Sequence, residues 1–525
     1  MTKFVLVAIG GSGMRVAQSL VALAASGYLS DLCQTEYKLE LRLVDLDIVA
    51  GGDRVELEEM IRSVNEALPY LSVIVDENAE RPCWKPKGID AMERLSTPIN
   101  DRSTLDDLVG NDYLTGPDAL AFHALFGGDD RAMELRRGCK GRPRIGSLIW
   151  AEQFDREWND LSGFWRSIFS GISTQDELRV MFVGSVFGGT GASGAPTLAR
   201  RFVRACRNEN NTETAPFARR VALTLMLPYF DIGRDTDVDS GLFVINSKMA
   251  LKYYEMSDVL SELEFAQFVG DDRRQMEKKK EDGTWAGVRL DRASEDHEGQ
   301  DDPSMPAELM AAIGICRYFA GDLPASADAQ SKVYVPLKWV NSDPTLDIPP
   351  EAAFPLTRFE FFPASHGLPG EMRIASVQDY ILRLERFCLM LGVYYRVSGR
   401  CPWNYRPEVL RTVWGRQRNL HKTYDSRTEG VGVPLAFTKQ IFRWLEELDH
   451  HGMNELLKIE GNVLRNTPLI YQAIQRVARE GSTACDMLGI PCARITSQMN
   501  SARVDPEHAV AYFVSSLAEC CVRRA

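Results

Sequence analysis

The sequence lacks the spacings that usually betray a metal or redox centre. It holds eleven cysteines and seven histidines in 525 residues, yet no Cys-x-x-Cys pair and no His-Glu-x-x-His. The first absence removes zinc-knuckle and thioredoxin-type motifs, and the second removes the zinc-hydrolase helix. Only Cys520 and Cys521 are close neighbours, and an odd number of scattered thiols fits reduced cysteines in a cytoplasm. Long hydrophobic runs are missing too. Phe4 to Ile9 is too short for a membrane span or a signal sequence. Basic excess is absent: the net charge is −12, which argues against a general nucleic-acid-binding surface. No internal repeat occurs. What remains is an ordinary globular composition, 45% hydrophobic and 26% charged, in a chain long enough for two or three domains.

Against that background one stretch stands out. The apolar run Val180-Met181-Phe182-Val183 predicts a buried strand. It is followed by Gly184, Gly188, Gly189, Gly191 and Gly194, with Ser185, Thr190, Ala192 and Ser193 between them. Ala195 to Phe202 then predicts a helix, with Pro196 placed in its first turn. Strand, glycine loop and helix start together make an anion site, because glycines let backbone N–H groups turn inward and the helix end adds partial positive charge. The loop has no lysine, so it is not a Walker A loop.

A second unit of the same kind opens the chain. Lys3 to Ile9 predicts a central parallel strand, Gly10-Gly11-Ser12-Gly13 follows, and Met14 to Ala25 predicts a helix. Leu39 to Val44 predicts the next strand, ending at Asp45-Leu46-Asp47. A carboxylate there can bind ribose hydroxyls or hold a metal through water. A dinucleotide site would need a third glycine and an acid about 20 residues on. Val16 stands where the glycine would fall, and Asp45 is 32 residues beyond Gly13. An adenylating ThiF/E1-type start is the nearer rival, since Gly-Gly-x-Gly before Leu-Val-Asp-x-Asp resembles it. That family has no second glycine loop near residue 190 and carries paired zinc cysteines, which are missing here.

Further along, helices are predicted at 55–66 and 118–126, and Leu148 to Trp165 predicts another with its tryptophans in a core. Between them, Gly138 to Gly146 is a basic, glycine-containing loop in which Arg142 and Arg144 can make charge-assisted phosphate contacts. Val221 to Leu227 predicts a strand. Asp231, Asp235, Asp237 and Asp239 lack the EF-hand glycine and distal glutamate and are assigned to a solvated loop. Phe243 to Tyr254 predicts a helix carrying Asn246, whose amide can both donate and accept toward a base edge.

The order Phe187-Gly-Gly-Thr-Gly-Ala-Ser-Gly194 resembles the phosphate loop of the tubulin/FtsZ superfamily, Gly-Gly-Gly-Thr-Gly-Ser/Ala-Gly. Phe187 replaces the first glycine, and one extra residue lies between Gly191 and Gly194. The resemblance covers roughly residues 1–260 and implies an α/β class: a Rossmann-like nucleotide-binding domain ending in a connecting helix. After it come a charged insertion at 261–303 and a mainly α (α+β) C-terminal domain at 304–525. It implies GTP or GDP with Mg2+ as cofactors. Gly10, Gly11, Ser12, Gly13 and Met14 would lie on the base-side phosphates, and Gly188, Gly189, Thr190, Gly191, Ala192, Ser193 and Gly194 on the others. Arg142 and Arg144 would face the terminal phosphate, and Asn246 the guanine. It implies head-to-tail self-association, with hydrolysis completed by an acidic loop of the next subunit. That loop's Asn-x-Asp-x-x-Asp/Glu pattern is not found after Tyr254. A scaffold that binds nucleotide without turnover, and holds a partner on its α-rich half, is the other implied form.

Overall fold

The structure is a computed structural model. It describes residues 2–33, 35–46, 52–71, 84–95, 104–110, 113–135, 139, 142–160, 162–173, 176–208, 217, 220–229, 231–232, 240–257, 259–270, 305–321, 429–450, eight positions between 377 and 388, and five isolated pairs after residue 277. In chain order the strands are β1 (Thr2–Ile9), β2 (Tyr37–Val44), β3 (Ala91–Arg94), β4 (Glu177–Ser185), β5 (Val221–Met226), the two-residue β6 (Asp231–Ile232) and β7 (Phe265–Val269). The helices are α1 (Gly10–Ser26), α2 (Tyr28–Cys33), α3 (Gly52–Leu71), α4 (Leu105–Val109), α5 (Gly116–Leu125), α6 (Gly128–Arg131), α7 (Pro143–Asn159), α8 (Thr190–Asn208), α9 (Ser240–Met256), α10 (Pro306–Ala320) and α11 (Glu429–His450).

Six strands form one parallel sheet in the order β3-β2-β1-β4-β5-β7. The class is α/β, as the sequence implies. β1, β4 and β5 are buried along nearly their whole length, which is why their sequences are continuous apolar runs rather than alternating ones. Successive side chains reach opposite faces. Phe4 on β1 stacks on Phe319 of α10 at 4.9 Å, whereas Phe182 on β4 meets Phe202 of α8 at 5.8 Å. Right-handed crossovers put α1 and α8 on opposite faces, since β2 lies to one side of the β1–β4 pair and β5 to the other.

The two faces are built differently. On the α8 side, Phe154, Trp158, Trp165, Phe169 and Phe202 form an aromatic cluster between α7, α8 and the sheet. On the other side α1 is buried almost all round, as a helix apolar on every face must be. Its cover comes largely from distant sequence. α10 packs on α1, and α11 packs on α3. Trp444 Nε1 of α11 donates to Ser19 Oγ at 3.2 Å, and Arg383 donates to the Ser26 carbonyl at 3.1 Å. Gly27 closes α1 at φ 87°, a left-handed cap that a side chain would strain.

Several expectations shift. α8 begins at Thr190, so Gly191 and Gly194 lie inside the helix and Pro196 sits in its interior rather than its first turn. The helix starts as soon as the glycine turn clears β4, earlier than proline placement alone suggests. Likewise α1 starts at Gly10, not Met14. α7 runs from Pro143 to Asn159, opening on its proline and ending before the turn that precedes Trp165. Phe265–Val269 falls in the stretch read as a charged insertion, yet it is the sixth strand of the sheet, and α10 covers the same sheet. Most of the region read as a mainly α C-terminal domain at 304–525 lies outside the described residues, as do most of 271–303 and the acidic positions 235–239. Among the described residues, no helix is long and apolar enough to cross a membrane, and no group of three or more His, Cys, Asp or Glu side chains converges on a metal position.

Candidate functional site

β1 and β4 are neighbours, but the chain leaves them in opposite directions, so a crevice opens beyond their carboxyl ends. α1 starts one residue after β1, and α8 five residues after β4. Gly10 takes φ 67°, and a Cβ there would stand 3.3 Å from both the Gly191 nitrogen and Thr190 Cβ. The first turns of the two helices therefore touch across the crevice. Each presents its backbone N–H groups and the positive end of its dipole to the same place. Neither helix has an acidic residue in its first turn, and the residue before α1, Ile9, offers no side-chain cap.

Close approach explains the glycines. A Cβ at Gly13 would meet the Val183 carbonyl at 2.7 Å and the Ala8 carbonyl carbon at 3.2 Å, both backbone. A Cβ at Gly191 would meet the Ser185 nitrogen at 2.6 Å. At Gly194 it would meet Ile9 and Trp150 at 2.8 and 2.9 Å. Hydroxyls finish the second turn: Ser185 Oγ accepts from the Gly188 N–H at 3.3 Å, and Ser193 Oγ donates to the Gly189 carbonyl at 2.7 Å.

The predicted residues fall into three groups. Gly10, Gly11, Ser12, Gly13 and Met14 are brought together with Gly188, Gly189, Thr190, Gly191, Ala192, Ser193 and Gly194. Asn246 also joins them: its Nδ2 donates to the Phe187 carbonyl at 3.0 Å, so the side chain holds the second turn from α9. Asp45 is half-buried just past β2, and its charge acts on the buried thiol of Cys139, which burial pushes up to about 12. Cys139 lies beside Gly146, and Gly146 lies against Ser193 at the start of α8. Arg142 and Arg144 stand at the start of α7, and both guanidiniums turn to one carboxylate. Asp130 takes Arg142 at 3.0 Å on Oδ1 and Arg144 on Oδ2.

Sequence reasoning missed a buried polar network beneath the first turn. Arg15, Tyr229 and Glu308 are 1%, 1% and 0% exposed. Arg15 Nε donates to Glu308 Oε1 at 2.5 Å, and the Tyr229 hydroxyl donates to the same oxygen at 2.6 Å. Glu308 Oε2 accepts the Met305 N–H at 2.7 Å, closing the start of α10. Asp53 at the start of α3 stands 3.9 Å from Arg15 and against Gly11. Burial alone would lower the Arg15 pKa, but Glu308, Tyr229 and Asp53 around it reverse the shift and hold it charged. Burial pushes the Glu308 carboxyl above the ordinary range, against the pull of Arg15. The only signals in the sequence were an arginine two positions past a glycine turn and a glutamate in the first turn of an apolar helix.

No known protein-family profile matches the chain, and no curated protein sequence does. Solved structures do. One is CetZ2 from Haloferax volcanii, a GTPγS-bound protofilament, at 14% identity and TM-score 0.26, covering 62% of this chain and 61% of that one. Another is CetZ from Methanosaeta thermophila strain DSM 6194, at 12% identity and TM-score 0.24, covering 61% of this chain and 52% of that one. The chain thus spans less than two thirds of the length of each of these solved proteins.

Proposed function

We propose that this chain is a tubulin/FtsZ-like protein that binds GTP or GDP across the ends of β1 and β4. The observation that carries the reading is the contact of two glycine-rich helix starts, Gly10 against Gly191, at the point where the sheet reverses direction. Two helix N-termini aimed at one crevice favour a ligand with more than one anionic group, as a nucleoside di- or triphosphate has. In this reading Gly10 to Met14 take the base-side phosphates and Gly188 to Gly194 take the others. Asn246 reads the base while it braces Phe187. Asp45 meets ribose or a water of Mg2+, the ion that would accompany the phosphates. Arg142 and Arg144 answer to the terminal phosphate, in exchange for Asp130. Self-association head to tail belongs to the same proposal, since a contact between unlike surfaces of identical subunits propagates.

Nucleotide released from heat-denatured purified protein, identified by chromatography, tests the reading directly. GTP or GDP is the expected product. A Gly191→Val variant should lose nucleotide binding while its far-UV circular dichroism stays native, and wild-type affinity in that variant would sink the phosphate assignment. Light scattering should rise with protein concentration in GTP and fall in GDP. Phosphate release that climbs with concentration would mark shared hydrolysis, and tight binding without release would mark the scaffold form. A second reading has one observation in its favour: the strand order is that of dinucleotide-binding sheets, with Asp45 at the end of β2. Retention of NAD or ATP in place of GTP would select it.

A further inference from the structure

We infer that Tyr229 is a positioning residue that fixes the two glycine turns relative to each other, a role that rests on the nucleotide reading above. Tyr229 follows β5, at the same end of the sheet as the crevice. Its hydroxyl lies within hydrogen-bonding reach of Ser12, in the first turn of α1, and donates to Glu308 of α10. Its ring meets Phe187, in the second turn, edge-on at 6.0 Å. The Phe187 carbonyl in turn accepts from Asn246. One fully buried side chain therefore touches the α1 turn with its polar end and the α8 turn with its apolar body. The two ends act by different physics: the hydroxyl is directional and sets where Ser12 sits, while the ring sets a spacing by contact. Glu308 keeps the phenol from rotating away, because its carboxylate is itself fixed by Arg15 and by the Met305 N–H. A phosphate site made of backbone N–H groups from two helices works only if the helices are held at the right separation. Tyr229 reaches both turns.

The two halves of the tyrosine can be removed separately. Tyr229→Phe keeps the ring and loses the hydroxyl; Tyr229→Leu loses both. Hydrogen exchange on the nucleotide-free protein should quicken at residues 10–14 alone in the first variant, and at 10–14 and 186–190 in the second. Amides of β2 and α3 should stay at wild-type rates in both. GTP affinity, measured well below the melting temperature, should fall about 5–20-fold in Tyr229→Phe and further in Tyr229→Leu. Ser12→Ala should reproduce the Phe variant, and the double variant Ser12→Ala/Tyr229→Phe should be no worse than either alone. Unchanged affinity, additive losses, or exchange that quickens evenly across the sheet would overturn the assignment and leave Tyr229 a core residue. A wild-type protein that binds no nucleotide would overturn the underlying reading and this role with it, an outcome distinct from variants that bind as well as wild type.

Discussion

The two glycine turns that meet at the crevice are supported in opposite ways. The α8 turn is braced mainly by its own neighbourhood, by Ser185, Ser193 and the close packing of Gly184, Gly191 and Ala195, with Asn246 and the Tyr229 ring reaching it from further along the chain. The α1 turn is braced from afar. Its Arg15 pairs with Glu308, 293 residues away, and its helix is covered by α10 and touched by Trp444. The first kind of support is neutral and short-ranged. The second is charged, buried and dependent on the remote chain. A turn held by local hydroxyls tolerates the loss of any one of them, whereas a buried ion pair fails badly when half of it goes, because the remaining charge is left without its counter-ion.

The largest expected effect tests that asymmetry. Glu308→Ala should cost about 3–5 kcal/mol in urea unfolding by stranding Arg15. Ser193→Ala, at the equivalent place on the other turn, should cost about 1 kcal/mol, one hydrogen bond. Equal losses would erase the distinction. Next, Trp444→Ala should cost about 3 kcal/mol or more as a buried aromatic truncation. Hydrogen exchange should then quicken along α1 and α3 while the α8 amides stay protected; protection lost equally on both helices would mean that α11 supports the sheet as a whole.

A smaller effect sharpens what Asn246 does. If it serves only as a brace on Phe187, Asn246→Ala should weaken GTP and ATP alike by about 1 kcal/mol. If it also reads guanine, calorimetry should show GTP losing more than ATP. The smallest effect is a pH dependence at the far end of α8. Burial would raise the Glu262 carboxyl, but Arg204 and Arg200 outweigh it and bring the pKa below the ordinary glutamate value. A depressed folded value means the unfolded chain binds the proton first. The contribution is thus present above the ordinary glutamate pKa and is lost as pH falls through the folded value. Wild type should lose about 0.5 kcal/mol there that Glu262→Gln does not. Identical acid limbs in the two proteins would remove the pair from the account.

How much of this was legible in the sequence follows the same divide. β1, β4 and both glycine turns could be read because each is written in one short stretch, and α9 because its apolar positions repeat within seventeen residues. The brace under α1 could not. No local pattern links Arg15 to Glu308, or Tyr229 to Ser12, since the fold alone brings them together. β7 was hidden because five strand residues adjoin a long charged run, so that composition masked a sheet position. Arg142 and Arg144 were legible as cations but not as partners of Asp130, which depends on where α6 lands.

Pro196 gives α8 a property that neither its length nor its burial suggests. Proline has no amide hydrogen, so the rung of the helix that would end on the Ala192 carbonyl cannot form. The first six residues, Thr190 to Ala195, are joined to the rest of α8 with one fewer bond than a regular helix would have. The stretch beside β4 is therefore the part of α8 that its own backbone ladder holds least, and its order rests on the close packing of Gly191, Gly194 and Ala195.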